Sequence, residues 1–113
     1  MKLIIAYIQP ERLNDVKECL RERDIARLSV TNALGCGSQM GYEESYRGAK
    51  VDVNLMKKIR VEIAVNNDFV QPAIDAIIEG ARTGNIGDGK IFIVPIEETI
   101  RIRTGETGKV AIG

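Results

Sequence analysis

The chain has 113 residues, with 16 lysine and arginine side chains balanced by 16 aspartate and glutamate side chains, and it contains no histidine. Its length suits one domain spanning 1–113, and a hydrophobic fraction of 44% is typical of a globular protein. Without an imidazole the chain cannot use Ser-His-Asp catalysis, Cys-His catalysis or a histidine-ligated metal, and its zero net charge predicts no nucleic-acid partner.

The cysteines and the first residues predict the compartment. Cys19 and Cys36 follow no signal peptide, so we expect free thiols in a reducing compartment. The apolar run of residues 1–8 is too short to span a bilayer and stops before Pro10. The sequence therefore predicts a cytoplasmic protein without direct membrane insertion.

Two strands and one helix are predicted before residue 35. The branched apolar run 3–8 predicts a buried strand that ends at Pro10. Residues 12–23 carry apolar side chains at steps of three and four, which is the pattern of an amphipathic helix. The β-branched residues that follow Leu28 predict a second strand running toward Gly35.

A long loop is predicted next. Residues 35–50 show neither helical nor strand periodicity and contain four glycines. So long a loop without regular structure is uncommon in a small domain and usually carries function. Cys36, between two glycines at its start, is compatible with a redox role, but a small residue in a tight turn is the favoured interpretation.

The second half repeats the strand and helix order. Residues 59–65 alternate between apolar and polar side chains, as a half-buried strand does. Residues 66–68 are helix-capping types, a second amphipathic helix follows over 69–81, and Gly84 ends it. Residues 90–96 predict a fourth strand and residues 99–104 a short fifth one.

This order predicts an α+β, ferredoxin-like (βαββαβ) domain with a long loop between the second and third strands. Both helices would cover one face of the sheet. Because nothing in the chain covers the other face, we expect that face to pack against further subunits.

The segment 83–90, Thr-Gly-Asn-Ile-Gly-Asp-Gly-Lys, is the strongest motif. Its spacing fits part of a Walker A loop, but Ile91 replaces the magnesium-binding hydroxyl, and a strand follows where that motif needs a helix. Glycine backbone N–H groups together with Lys90 would still form a phosphate cradle. The alternative is an ordinary glycine-rich turn.

Arg101 and Arg103 lie two residues apart, on one face of the predicted fifth strand, where their guanidinium groups would grip phosphate oxygens. The alternative is a solvated face on which they pair with Glu97, Glu98 or Glu106. An acylphosphatase-like hydrolase that holds phosphate with arginine is the competing function. It is disfavoured because no side chain is an evident activator of water.

Three segments together resemble the PII nitrogen-regulatory signal proteins: residues 46–49 (Tyr-Arg-Gly-Ala), residues 83–92 and residues 100–106. The resemblance covers essentially the whole chain. It implies a homotrimer that is not an enzyme and that binds ATP or ADP competitively in clefts between subunits. The glycine-rich segment of one subunit and the arginines of its neighbour would hold the phosphates.

The resemblance also implies site residues. It assigns the nucleotide to Ser29, Gly35, Cys36, Gly37, Ser38, Gln39, Ala64, Gly87, Asp88, Gly89, Lys90, Arg101 and Arg103. It assigns 2-oxoglutarate to Gly37, Gln39, Met40, Gly41, Lys58 and Gly87, with Gln39 also a ligand of Mg²⁺. It assigns partner binding to Tyr46, Arg47, Gly48 and Ala49, in a flexible loop of about 37–54. The implied partner is the cytoplasmic face of a membrane transporter, first an ammonium channel, or a nitrogen-assimilation enzyme.

Several positions depart from the family pattern. Val51 stands where many members carry a uridylylated tyrosine, and Ala49 where others carry a phosphorylated serine. Cys36 replaces an aromatic residue, and Ser38 replaces an arginine that contacts nucleotide phosphate, a loss of about 1–3 kcal/mol. We therefore expect weaker ATP binding. A divergent PII subgroup that serves a pathway outside ammonium uptake is the alternative interpretation.

Overall fold

The computed structural model describes residues 1–36, 44–46, 49–51 and 55–113. The strands are β1 (Lys2–Ile8), β2 (Ser29–Gly35), β3 (Glu44–Tyr46), β4 (Ala49–Val51), β5 (Met56–Val65) and β6 (Lys90–Pro95). The helices are α1 (Leu13–Arg21), α2 (Val70–Ala81) and α3 (Lys109–Ile112). Single 3₁₀ turns, Pro10–Arg12 and Asn67–Phe69, lead into α1 and α2.

The four long strands form one antiparallel sheet in the order β2-β5-β1-β6. Ile4, in the middle of β1, lies opposite Ile63 on one side and Ile93 on the other. The predicted α+β, ferredoxin-like order of elements is thus confirmed, with β1 and β5 in the centre of the sheet.

One face of the sheet and the two long helices enclose the core. Every second residue of the central strands is buried there, and the helices contribute their apolar stripes. The fully buried large side chains are Ile4, Ile8, Val16, Leu20, Val61, Ile63 and Ile77. The two helices touch closely at Gly80, where an added Cβ would lie 2.6 Å from the Cα of Val16.

The second face of the sheet stays partly exposed. Ile5 and Tyr7 of β1 are only half-buried, although they are large and apolar or aromatic. Across from Ile5 lies Phe92 with 48% of its surface exposed, and Val94 on the same strand is 40% exposed. This exposure fits the prediction that both helices cover one face only.

The long loop contains a short hairpin, so the expectation that residues 35–50 lack regular structure is wrong. β3 and β4 pair in an antiparallel manner, with Tyr46 opposite Ala49. Gly35 belongs to β2, where it lies opposite Met56. Strands of three residues are too short to produce a visible alternation in the sequence, which explains the miss.

The predicted fifth strand over 99–104 is also wrong. Only an isolated bridge joins Ile100 to Thr107, around a turn in which the Arg101 amide donates to the Glu106 carbonyl at 2.8 Å. Gly105 gives this turn its left-handed conformation, with φ of 73°. The alternation of isoleucine and arginine belongs to a chain that has left the sheet after Pro95, and α3, four residues long, was not predicted.

Candidate phosphate-binding site

The turn between α2 and β6 is closed by a carboxylate. Asp88 accepts hydrogen bonds from the Thr83 hydroxyl, from the Thr83 amide at 2.8 Å and from the Gly84 amide at 2.9 Å. The bonds from Thr83 lower the pKa of Asp88, because they stabilise its charged form. The side chain of Asp88 therefore stabilises the turn. Asp88 would contact a phosphate through its backbone.

Two glycines allow this turn to approach the sheet. Gly87 and Gly89 have φ of 105° and 107°, which glycine adopts at low cost. A Cβ on Gly89 would lie 1.7 Å from the Tyr7 carbonyl oxygen. The start of β6 therefore packs directly on β1 in a way that no other residue permits.

The Gly87 carbonyl is held by two side chains from elsewhere in the fold. The Gln9 amide donates to it at 2.8 Å, and the Lys58 ammonium group donates to it at 3.0 Å. Lys58 is largely buried, with 9% of its surface exposed. These bonds hold the glycine-rich turn over one end of the sheet, beside the ends of β1 and β5.

A cavity of about 550 Å³ opens at this end of the sheet. It lies within the range of small-molecule sites, about 300–1,000 Å³. Six residues predicted for the nucleotide line it: Gly35, Cys36, Gly87, Asp88, Gly89 and Lys90. Lys58, predicted for 2-oxoglutarate, lines it too. Because Asp88 is engaged in its turn while Lys58 and Lys90 bring two cationic groups, the cavity favours an anion.

Further lining residues were missed from the sequence: Tyr7, Leu34, Asn85, Ile86 and Phe92. The rings of Tyr7 and Phe92 meet edge to face with their centroids 6.4 Å apart. The guanidinium carbon of Arg60 lies 5.9 Å from the centroid of the Tyr7 ring. Strand alternation places Tyr7 and Phe92 on the open face of the sheet, a signal that could have identified them.

The other predicted nucleotide residues that the structure describes lie toward the opposite end of the sheet. Ser29 pairs with Glu62, two residues from Ala64, whereas Gly35 pairs with Met56. Six residue steps along β2 separate Ser29 from Gly35, about 20 Å at 3.3 Å a step. Neither Ser29 nor Ala64 lines the cavity at the glycine-rich turn.

The C-terminal segment, residues 99–113, is anchored at that second end. The Asn66 amide donates to the Lys109 carbonyl at 3.2 Å, and Arg27 donates to the Ile112 carbonyl at 3.4 Å. Asn66, expected as a helix cap, makes no side-chain cap bond. The Thr99 hydroxyl lies 3.5 Å from the Met1 sulfur atom.

Arg101 and Arg103 do not share a strand face, because no strand forms there. The Arg101 guanidinium donates to Glu106 Oε1 at 2.9 Å and to the Val110 carbonyl at 2.9 Å. Arg103 lies in the exposed turn. Arg101 thus pairs with Glu106, one of the glutamates named in the alternative, although no strand face forms there.

Part of the predicted site lies outside the described residues. For the two ligands this concerns Gly37, Ser38, Gln39, Met40 and Gly41, and with Gln39 the predicted magnesium ligand. For the partner it concerns Arg47 and Gly48, which fall between the paired residues Tyr46 and Ala49 of the hairpin.

Comparison with known proteins shows the family of the chain. The family model described as "Nitrogen regulatory protein P-II" matches residues 1–106. The chain belongs to the P-II family. It is 51% identical to nitrogen regulatory protein GlnK1 of Methanosarcina mazei, covering 99% of this chain and 97% of that protein. It is 52% identical to nitrogen regulatory protein P-II of Bradyrhizobium diazoefficiens, covering 99% and 100%.

Family membership confirms the resemblance drawn from the three sequence segments. The protein is a P-II signal-transduction regulator of nitrogen metabolism. Among the residues that the structure describes, no helix has both the length and the apolar character needed to cross a membrane. Both cysteines of this P-II protein, Cys19 and Cys36, are free thiols, as expected.

Proposed function

We propose that this P-II protein works as a cytoplasmic homotrimer that binds ATP or ADP in clefts between subunits. The observation that carries the proposal is the division of the predicted nucleotide residues between two ends of the sheet. One end holds the glycine-rich turn, Lys58 and Lys90, and the other holds Ser29, Ala64 and Arg101.

One nucleotide cannot reach both ends of the same chain. A phosphate oxygen must lie about 3 Å from each donor that binds it, whereas the ends are about 20 Å apart. If a second copy brings its Arg101 end to the glycine-rich turn of the first, both groups meet at the cavity. A ring of three copies closed in this way contains three equivalent clefts.

The open face of the sheet supports the assembly. Its side chains include Ile5, Phe92 and Val94, which stay partly exposed in one chain. An exposed apolar surface on a small domain is a common feature of subunit contacts, since its burial stabilises the complex. Packing of these faces against one another would hold the three sheets together and set the clefts at their edges.

2-Oxoglutarate would bind beside the phosphates. One of the three N–H donors of the Lys58 ammonium group binds the Gly87 carbonyl. The other two can bind a carboxylate in the cavity. Mg²⁺ fits the amide oxygen of Gln39 together with ligand oxygens, because it prefers oxygen ligands and often binds through phosphates. When bound, the ion would offset the repulsion between the two anions. No group in the proposal breaks a bond, so we propose a regulator rather than an enzyme.

The loop of residues 37–54 would carry the signal to a partner. Arg47 and Gly48, which are assigned to partner binding, follow Tyr46 and precede Ala49 in the sequence. We propose a membrane transporter, first an ammonium transporter, or a nitrogen-assimilation enzyme as the partner. A subgroup that serves another pathway is the alternative, motivated by Val51 and Ala49 at the positions of modified residues.

Calorimetric titration of ATP, ADP and AMP, each with and without Mg²⁺ and 2-oxoglutarate, tests the proposal. We expect ATP and ADP to bind and 2-oxoglutarate to bind only in the presence of ATP and Mg²⁺. Lys58→Ala should weaken 2-oxoglutarate binding while largely preserving ADP binding.

Lys57→Ala is the matched control, since it removes the same charge from the neighbouring position, whose side chain points to the opposite face of β5. If no adenylate binds at millimolar concentration, the nucleotide proposal is wrong. Equal losses of ADP and 2-oxoglutarate in Lys58→Ala would contradict the role of Lys58.

A further inference from the structure

Arg101 is already occupied by its own chain. Its two terminal nitrogens donate separately, one to the carboxylate of Glu106 and one to the carbonyl of Val110, each at 2.9 Å. The Thr104 hydroxyl donates to the same Glu106 oxygen at 2.8 Å, which orients the carboxylate. The arginine assigned to nucleotide phosphates therefore holds the C-terminal segment in this structure.

We infer that nucleotide and the C-terminal segment compete for Arg101, so that Glu106 is an internal, displaceable occupant of the phosphate-binding arginine. The inference rests on the proposed nucleotide site and adds a means of regulating it. A phosphate held bidentately uses the same guanidinium nitrogens that now hold the segment. A carboxylate left on that guanidinium would also repel the phosphate, because both are anions at short distance.

The ion pair between Arg101 and Glu106 is weak enough for a ligand to displace it. The Arg101 and Glu106 side chains are 28% and 44% exposed, so water screens their attraction. A phosphate carries more charge and presents a matched pair of oxygens, which makes it the stronger ligand. The segment thus holds Arg101 when the cleft is empty and yields it when a nucleotide arrives.

Loss of the arginine would loosen α3. A helix of four residues is not stable by itself, so α3 depends on the side chains that bind its carbonyls. Arg101 binds Val110, while Asn66 and Arg27 bind Lys109 and Ile112 at the longer distances of 3.2 and 3.4 Å. Nucleotide binding would therefore release the C-terminal end of one subunit at each occupied cleft.

Titration of ADP and ATP into Glu106→Gln tests the competition. The variant keeps the shape of the side chain and removes its charge, so we expect the dissociation constant to fall about two- to fivefold, as suits a partly exposed ion pair. Glu97→Gln is the matched control. It removes the same charge from an exposed position four residues before Arg101, and its dissociation constant should match that of the wild type.

Hydrogen exchange on the wild-type chain gives an independent readout. The amides of Gly108 and Ala111 are bonded to the carbonyls of Thr99 and Gly108 in the closed segment. Saturating ADP should speed the exchange of peptides covering 106–113. Unchanged or slower exchange would overturn the inference.

The dissociation constants for ADP and ATP distinguish a failure of the competition for Arg101 from a failure of the proposed function. Nucleotide binding with equal constants in Glu106→Gln and Glu97→Gln would overturn the competition and leave the proposed function intact. Weaker binding in Glu106→Gln would also overturn it, because Glu106 would then orient Arg101 for the ligand. Absence of binding in the wild type would overturn the proposed function itself, and the competition with it.

Discussion

At Gly89 the backbone leaves no room for a side chain. The residue combines a left-handed conformation, with φ of 107°, and a site where a Cβ would meet the Tyr7 carbonyl oxygen. Gly84, in the same turn, has φ of 91°, and a Cβ added there would have no atom within 4 Å. The two glycines therefore separate the cost of the conformation from the cost of the close approach.

We predict that Gly89→Ala lowers the free energy of unfolding by about 3 kcal/mol or more, because strain and a backbone clash add. Gly84→Ala should lower the free energy of unfolding by only the strain of the left-handed conformation, about 1–2 kcal/mol. Urea denaturation of both variants measures the difference. Equal losses at the two positions would show that the start of β6 moves away from β1 without cost.

At the scale of elements, the turn between α2 and β6 depends on one carboxylate. Asp88 binds two amides and a hydroxyl of residues 83 and 84, five and four positions earlier in the chain. Because these bonds favour the charged form, the folded-state pKa of Asp88 is below its ordinary value. The stabilisation is present above the unfolded-state pKa and is lost as the pH falls through the folded-state pKa.

Asp88→Ala should therefore unfold more easily than the wild type at neutral pH, and the difference should shrink as the solution is acidified below the ordinary carboxylate range. Denaturation midpoints at a series of pH values measure this dependence. A difference that stays constant down to strongly acidic pH would contradict the charged role of Asp88.

The elements that the sequence predicted well are those whose burial produces a period. The alternation over 59–65 and the apolar stripe over 69–81 reflect packing on one face, and both elements form. The alternation of Ile100, Arg101 and Ile102 has no such cause, since the chain there lies outside the sheet. Propensity and pattern do not tell whether a neighbouring strand exists to pair with.

From residue patterns alone the site was predicted only in its local part, and the distant lining residues Gly35, Cys36 and Lys58 came from the family resemblance. The glycine-rich turn and Lys90 follow from adjacent residues, whereas the bond from Lys58 to the Gly87 carbonyl joins positions 29 residues apart. Tyr7 reaches the same cavity through the pairing of β1 with β6. Contacts of this kind depend on how the elements pack, which a single sequence does not display.

For the whole molecule, the separation of the two groups of site residues is the property that matters most. The glycine-rich turn and Arg101 lie at opposite ends of one sheet. Under the proposed function each subunit therefore contributes to two clefts, one through each end. A chain that is damaged at one end should then be complemented by a chain that is damaged at the other end.

We predict that Lys90→Ala and Arg101→Ala homotrimers each bind ADP weakly, and that trimers assembled from both variants recover strong binding at one cleft. In that cleft the intact turn comes from the Arg101→Ala chain and the intact arginine from the Lys90→Ala chain. Calorimetry on co-expressed, doubly tagged trimers measures the recovered sites.

Trimers assembled from two differently tagged Lys90→Ala chains are the control, because every chain is then damaged at the same end and no cleft can be complete. No recovery in the first mixture would place the binding site within a single chain, and recovery in the control would show that the signal does not come from complementation.

The same division has a genetic consequence. In a cell that carries one normal and one altered copy of the gene, a subunit damaged at a single end would disable one cleft of each assembly it enters. A subunit damaged at both ends would disable two. Alleles of the second kind should therefore be more strongly dominant, even when the altered chain folds and assembles normally.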